Sequence, residues 1–179
     1  MTLAATSLTD EMIPAWVDGH LTRVPKLEVH QRGLRHKAVS VFVRDGSRVL
    51  IQQRALSKYH TPGLWTNTCC THPRWDEAGL ACAVRRLREE LGITGLTPVF
   101  ADQVEYRACV GGGLTEHEVV DIFVAGAGGD LLVRPDPEEV MATRWVDLDA
   151  LSAEVLSAPE TFTPWLRIYL ADHRTRIFG

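Results

Sequence analysis

Residues 65–93 read WTNTCCTHPRWDEAGLACAVRRLREELGI: a thiol pair, a histidine two residues on, and then one amphipathic run. Leu80, Val84, Leu87 and Leu91 recur at helical spacing and predict a buried stripe. Asp76 and Glu77 place negative charge in the expected first turn, where the helix dipole favours it, and Gly92 stands where a glycine commonly ends a helix. Arg85 faces Glu89 and Arg86 faces Glu90, each pair four residues apart. Taken alone, such pairs read as a solvated face. Cys70 sits in a turn-rich loop beside His72, whereas Cys69 is expected to pack inward, Cys82 falls within the helix and Cys109 follows a strand.

Working outward, residues 1–14 (and more broadly 1–20) read as a loosely held lead, and residues 27–30 precede a buried strand at 36–44. Asp45-Gly46 signals a hairpin whose second strand is 48–54, followed by a polar loop over 55–68. Further strands are predicted at 97–107 and 118–126, separated by Gly111-Gly112-Gly113, with a short strand at 142–146 and helices at 148–156 and 163–174. Neither an internal repeat nor a linker interrupts this order. The pattern predicts one compact α/β (α+β) domain over 1–179, its core about 28–170, as a mixed sheet with helices on its faces.

Composition narrows the function classes. With 45% hydrophobic residues the chain can bury a core, and a formal charge of -4 gives no general basic surface for nucleic acid. No apolar run approaches the ~20 residues that span a bilayer, and the first residues lack a signal-peptide pattern. Four cysteines without a disulfide framework fit a reducing cytoplasm.

The metal-ligating residue types converge on a second constellation. Glu116 and Glu118 flank His117 at the start of a predicted strand, and alternation puts both carboxylates on one face. With His30, His36 and His72 they could form a five-ligand nitrogen–oxygen site for a divalent cation. Four tetrahedral ligands would favour Zn2+; five or six favour Mn2+, Mg2+ or Fe2+.

From Glu77 through Arg85 to Ile93 the spacing resembles the helix half of a Nudix box, with two departures. Arg86 stands where a hydrolase has a glutamate, and Thr71 where the box opens with glycine. Arg54 to Lys58, Pro62 to Asn67, Cys70-Thr71-His72-Pro73, Arg85 to Gly92, Tyr106-Arg107-Ala108 and Glu116-His117-Glu118 occur in order over roughly 28–166. Together they resemble the type I isopentenyl-diphosphate isomerases, a Nudix-derived family that isomerises its diphosphate and does not cleave it. His30 and His36 lie six apart where the family spacing is seven, implying a one-residue deletion in their connection.

The resemblance implies a Nudix-like fold and transposition of a carbon–carbon double bond by protonation and deprotonation through a tertiary carbocation. Cys70 and Glu118 match the acid–base pair, Tyr106 a proton relay beside the carboxylate, and Trp165 an aromatic facing the cation. Ordinary helix packing is the competing reading of Trp165. Arg54, Lys58 and Arg86 match diphosphate-binding positions, and Glu90 a position holding Mg2+ on the phosphates. His30, His36, His72, Glu116 and Glu118 match a site for Mn2+, Mg2+ or Zn2+. The implied partner is a small diphosphate, with no nucleic acid, no membrane insertion, and a monomer or weak dimer in the cytoplasm. Two other classes compete: a Nudix pyrophosphohydrolase, against which Arg86 and Thr71 argue, and a silent Nudix-fold binding module, which has no need of matched acid and base groups.

Overall fold

The computed structural model describes residues 11–179. Their strands are β1 (Met12–Val17), β2 (His20–Pro25), β3 (His36–Asp45), β4 (Arg48–Arg54), β5 (Trp65–Thr66), β6 (Cys69–Thr71), β7 (Val99–Gly111), β8 (Leu114–Gly126) and β9 (Val140–Asp147). The helices are α1 (Lys26–Arg32), α2 (Gly79–Leu91), α3 (Leu148–Ser157), α4 (Pro164–Asp172) and α5 (Arg174–Phe178). All nine strands join one mixed sheet.

β3 is the axis of that sheet. One edge runs parallel to β8 from His36↔Glu118 to Arg44↔Gly126. The other edge is divided: Ala15 of β1 opposes His36, β6 covers Val39 to Val41, and β4 covers Val43 to Asp45. The continuous apolar run of β3 follows from its burial on both faces. Ala38 and Phe42 point into a core closed by α3, α4 and α5, while Val39, Val41 and Val43 point into a core closed by α2.

Several boundaries depart from the sequence expectations for physical reasons. The lead over 1–20, expected to be loose, is from Met12 a hairpin whose Ile13 and Ala15 are buried; residues 1–10 lie outside the described residues. Residues 27–30 belong to a helix. α2 begins at Gly79, so Asp76 and Glu77 precede its first turn. Leu80 and Val84 are each 46% exposed, and the buried stripe is instead Cys82, Ala83, Leu87 and Leu91. Small side chains at 82 and 83 let the helix rotate its close-packed side toward the sheet, a choice that apolar spacing alone does not encode. β7 and β8 run up to the glycine turn, so Glu116 and Glu118 lie inside a strand and not at its start. The expected helix at 163–174 divides at His173 into α4 and α5.

Glu77 ties the loop before α2 to the helix. Arg85 donates to its two oxygens at 2.6 and 2.7 Å, and the Arg74 amide donates at 2.8 Å. The Arg85 bonds hold the Glu77 carboxyl down at about 2 from its ordinary value of 4.5. A depressed carboxylate stabilises the fold above its unfolded pKa and loses that contribution as pH falls through the folded one. Glu77→Gln is therefore expected to lower Tm near neutral pH by roughly 2–4 °C, a solvent-screened pair being worth about 1 kcal/mol. In thermal melts across pH, the gap to wild type should narrow below pH 4.5 and close near pH 2.

Candidate active site

Sheet register places the carboxylates. Glu118 lies opposite His36 on β3 and Tyr106 on β7, and Glu116 lies opposite Ala108. Both carboxylates share the face of Val120 and Ile122, yet each is only 2% exposed. Burying two carboxylates this close is costly unless positive charge or donors surround them.

Histidines supply that surround from three elements. His30 arrives on α1, His36 opens β3, and His72 follows β6; all three are buried. Nε2 of His30 and of His36 lie 3.0 and 3.2 Å from Glu116 Oε2, and His72 Nε2 lies 3.1 Å from Glu118 Oε1. His36 Nε2 is also 3.6 Å from that Glu118 oxygen. The far nitrogens of two rings are fixed: His30 Nδ1 donates to the Lys26 carbonyl at 2.6 Å and His36 Nδ1 to that of Leu34 at 2.8 Å. The short connection between them thus still delivers both Nε2 atoms to Glu116.

These residues fit a divalent cation. Ligand atoms from His30, His36, His72 and Glu116 lie within 4.8 Å of one another. His36 Nε2 and Glu116 Oε2 are buried without a hydrogen-bond partner, which direct ligation would satisfy. Anchored Nδ1 atoms are the outer-shell arrangement that orients histidine ligands. The carboxylates draw positive charge to this point: burial opposes charge on His36, yet Glu116 and Glu118 raise its pKa to about 10. Burial dominates at His72 and lowers it to about 4. Burial also pushes Glu116 toward neutrality, but His30, His36 and His60 hold it well below the usual carboxylate range. Glu118 is lowered as well, burial and the Glu116 charge being overcome by His36 and His72.

Cys70 lies beside this cluster because β6 pairs with β3 through Cys70↔Ser40. The Ser40 hydroxyl reaches Cys70 Sγ at 3.3 Å and Tyr169 Oη at 3.0 Å. Burial and the nearby Glu118 charge push the thiol well above its ordinary pKa, so its proton stays on sulfur. Tyr106 is likewise raised by burial and Glu118, and its hydroxyl donates to Glu118 Oε2 at 2.6 Å. Thiol and carboxylate border one cleft, with Trp165 in its wall. Trp165 also packs in the core, 2% exposed, and its Nε1 donates to Thr66 Oγ1 at 2.7 Å.

Positive side chains ring the same cleft. Arg54, Lys58 and Arg86, expected from the sequence, line it together with Lys26, which was not. Arg86 donates to Glu90 at 2.6 Å, and Glu139 takes both Lys58 and Arg86. Glu90 is buried and accepts from Gln52 Nε2 at 3.1 Å. Sequence reasoning also missed Tyr59 and His60, which line the cleft. Lys26 stands one helical turn before His30, a signal hidden because no helix was expected there. His60 lay in a stretch read only as a polar loop.

The NUDIX domain family model matches residues 34–166. An isopentenyl-diphosphate Delta-isomerase of Cereibacter sphaeroides is 76% identical over 94% of this chain and 96% of its own length. One from Dinoroseobacter shibae is 67% identical over the same shares, and one from Rhodobacter capsulatus is 59% identical over 96% and 97%. Among solved structures, DR0079 from Deinococcus radiodurans superposes with a TM-score of 0.71 at 14% identity, over 94% of this chain and 100% of that one. A MutT NUDIX hydrolase from Burkholderia pseudomallei gives 0.59 at 24% identity, over 78% and 98%. These last two share the fold.

Adding Mn2+ to chelator-treated protein is expected to raise Tm, since an ion bound only by the folded state stabilises by about 2.7 kcal/mol at a hundredfold excess over Kd. In scanning fluorimetry His36→Ala should lose that rise; a rise unchanged by the substitution would place the ion elsewhere.

Proposed function

The chain belongs to the NUDIX domain family and, within it, to the isopentenyl-diphosphate Delta-isomerases, and from that premise we propose how its cleft interconverts isopentenyl and dimethylallyl diphosphate in isoprenoid biosynthesis. Cys70 and Glu118 are the acid–base pair that moves the double bond. One group delivers a proton to the alkene while the other takes one from the neighbouring carbon, through a tertiary carbocation. Because the conversion runs both ways, each group donates in one direction and accepts in the other. Tyr106 holds its hydroxyl on Glu118 and carries or steadies the proton there. Trp165 presents its ring to the developing cation, a contact worth about 2 kcal/mol when desolvated. The buried walls keep water from the carbocation.

Arg54, Lys58 and Arg86 bind the diphosphate, and Glu90 would hold an Mg2+ that neutralises phosphate charge. His30, His36, His72, Glu116 and Glu118 hold a second divalent ion, Mn2+, Mg2+ or Zn2+, which when bound lowers the proton affinity of Glu118. Arg86 puts positive charge where a Nudix hydrolase has a metal-binding carboxylate, so the diphosphate is gripped and not cut. We place the reaction in the cytoplasm with a monomer or weak dimer. Among the described residues, no helix is long and apolar enough to cross a membrane.

The observation carrying this reading is the Cys70 thiol and the Glu118 carboxylate bordering one cleft, with cations along its rim. Proton NMR in D2O with isopentenyl diphosphate, Mg2+ and Mn2+ is expected to show dimethylallyl diphosphate, deuterium in the carbon skeleton and no phosphate release. Cys70→Ala and Glu118→Gln should each cut turnover by about 10²–10⁴-fold, the span of a lost acid or base. Phosphate release without deuterium exchange would assign hydrolysis instead.

A further inference from the structure

Glu116 divides its two oxygens between different neighbours. Oε2 faces the Nε2 atoms of His30 and His36, whereas Oε1 is 3.0 Å from Nε2 of a fourth imidazole, His60. His60 is 6% exposed and, like Glu118, is not among the four residues whose ligand atoms all lie within 4.8 Å of one another. What holds its far nitrogen also differs. His30 and His36 place Nδ1 on main-chain carbonyls, which only accept, but His60 Nδ1 meets the Thr61 hydroxyl at 3.1 Å. A hydroxyl can donate. With the Thr61 hydroxyl donating to Nδ1, the ring hydrogen is on Nε2, the nitrogen 3.0 Å from Glu116 Oε1.

The ring is held firmly. Arg54 donates to the carbonyls of His60 and Thr61 at 3.1 and 3.2 Å. Thr61 has φ +47°, a left-handed backbone that a β-branched residue adopts only when its surroundings impose it. The imidazole packs edge-on against Tyr59 and Trp165, with centroids 4.3 and 6.0 Å away.

We propose that His60 is a positioning residue for the metal cluster: its Nε2–H holds Glu116 Oε1, so that Glu116 offers only Oε2 to the cation. This inference rests on the reading of that cluster as a divalent-metal site. Without the bond the carboxylate can rotate toward a bidentate grip or withdraw, and the ligand sphere loses its fixed geometry. His60 also bridges Glu116 and Trp165, linking ligand orientation to the aromatic wall.

The test is metal binding by the full chain without substrate. Mn2+ affinity is read from the EPR signal of the free ion, and ligand geometry from the visible spectrum of the Co2+ form. His60→Ala is expected to weaken Mn2+ binding about 10- to 100-fold and alter the Co2+ spectrum. His60→Gln, whose amide N–H can occupy the Nε2 place, should restore binding to within about threefold of wild type with the wild-type spectrum. Thr61→Val, which keeps the shape and removes the hydroxyl, should weaken binding several-fold and serves if His60→Ala fails to fold by circular dichroism. Wild-type affinity in His60→Ala or in Thr61→Val would overturn the proposal. So would loss of a nitrogen ligand in His60→Gln, which would make His60 a ligand itself. If wild type binds no Mn2+ the metal reading fails; if binding is lost in His36→Ala but kept in His60→Ala, only the inference does.

Discussion

Two carboxylates buried side by side are the constraint on which this molecule turns. Glu116 and Glu118 are adjacent on one strand face and almost fully shielded from water. Two bare charges there would cost far more than a domain's net stability. The chain answers with polar groups from everywhere within reach: an imidazole from a helix, two from strand ends, one from a loop, and a phenol from the neighbouring strand. A cluster so assembled is also a place where a cation is welcome and a proton can be moved. The electrostatic difficulty and the chemistry have one origin.

The divided edge of β3 makes the assembly possible. A strand flanked along its whole length by two long partners would present only its own alternation to the core. Here one edge passes from β1 to β6 to β4, so loops enter between short pairings. Cys70 reaches the carboxylate face from β6, and the Tyr59–His60 loop enters just after β4.

Much of this was legible in the sequence. The strands near 36–44, 48–54, 97–107, 118–126 and 142–146, the hairpin at Asp45-Gly46 and the helix ending at Gly92 follow from periodicity and turn chemistry, whereas the short β5 and β6 fell in stretches read as loop. Alternation put Glu116 and Glu118 on one face, and four-residue spacing paired Arg85 with Glu89 and Arg86 with Glu90. What escaped depends on tertiary packing. Leu80 and Val84 satisfy the helical period, but the small side chains of Cys82 and Ala83 decide which side meets the sheet. Met12 to Pro25 is a hairpin because Ala15 finds His36, a partner distant in sequence. His60 carries no pattern at all; its place is set by an Arg54 side chain and a left-handed threonine.

The rim of the cleft carries its own consequence. Lys26 holds Glu11, Lys58 holds Glu139, and Arg86 holds Glu89, Glu90 and Glu139. These three cations are already paired with carboxylates, and Arg54 spends its N–H groups on the His60 and Thr61 carbonyls, so little of the rim's charge beyond that of Arg54 is free to draw in anions at a distance. An arriving anion must trade places with carboxylates, and a singly charged group gains little from the exchange. Only a ligand bringing several oxygens and more than one charge can dissolve several pairs at once. The rim thus works as a threshold: it is quiet toward the many weak anions of a cell and yields to the few that are dense in charge.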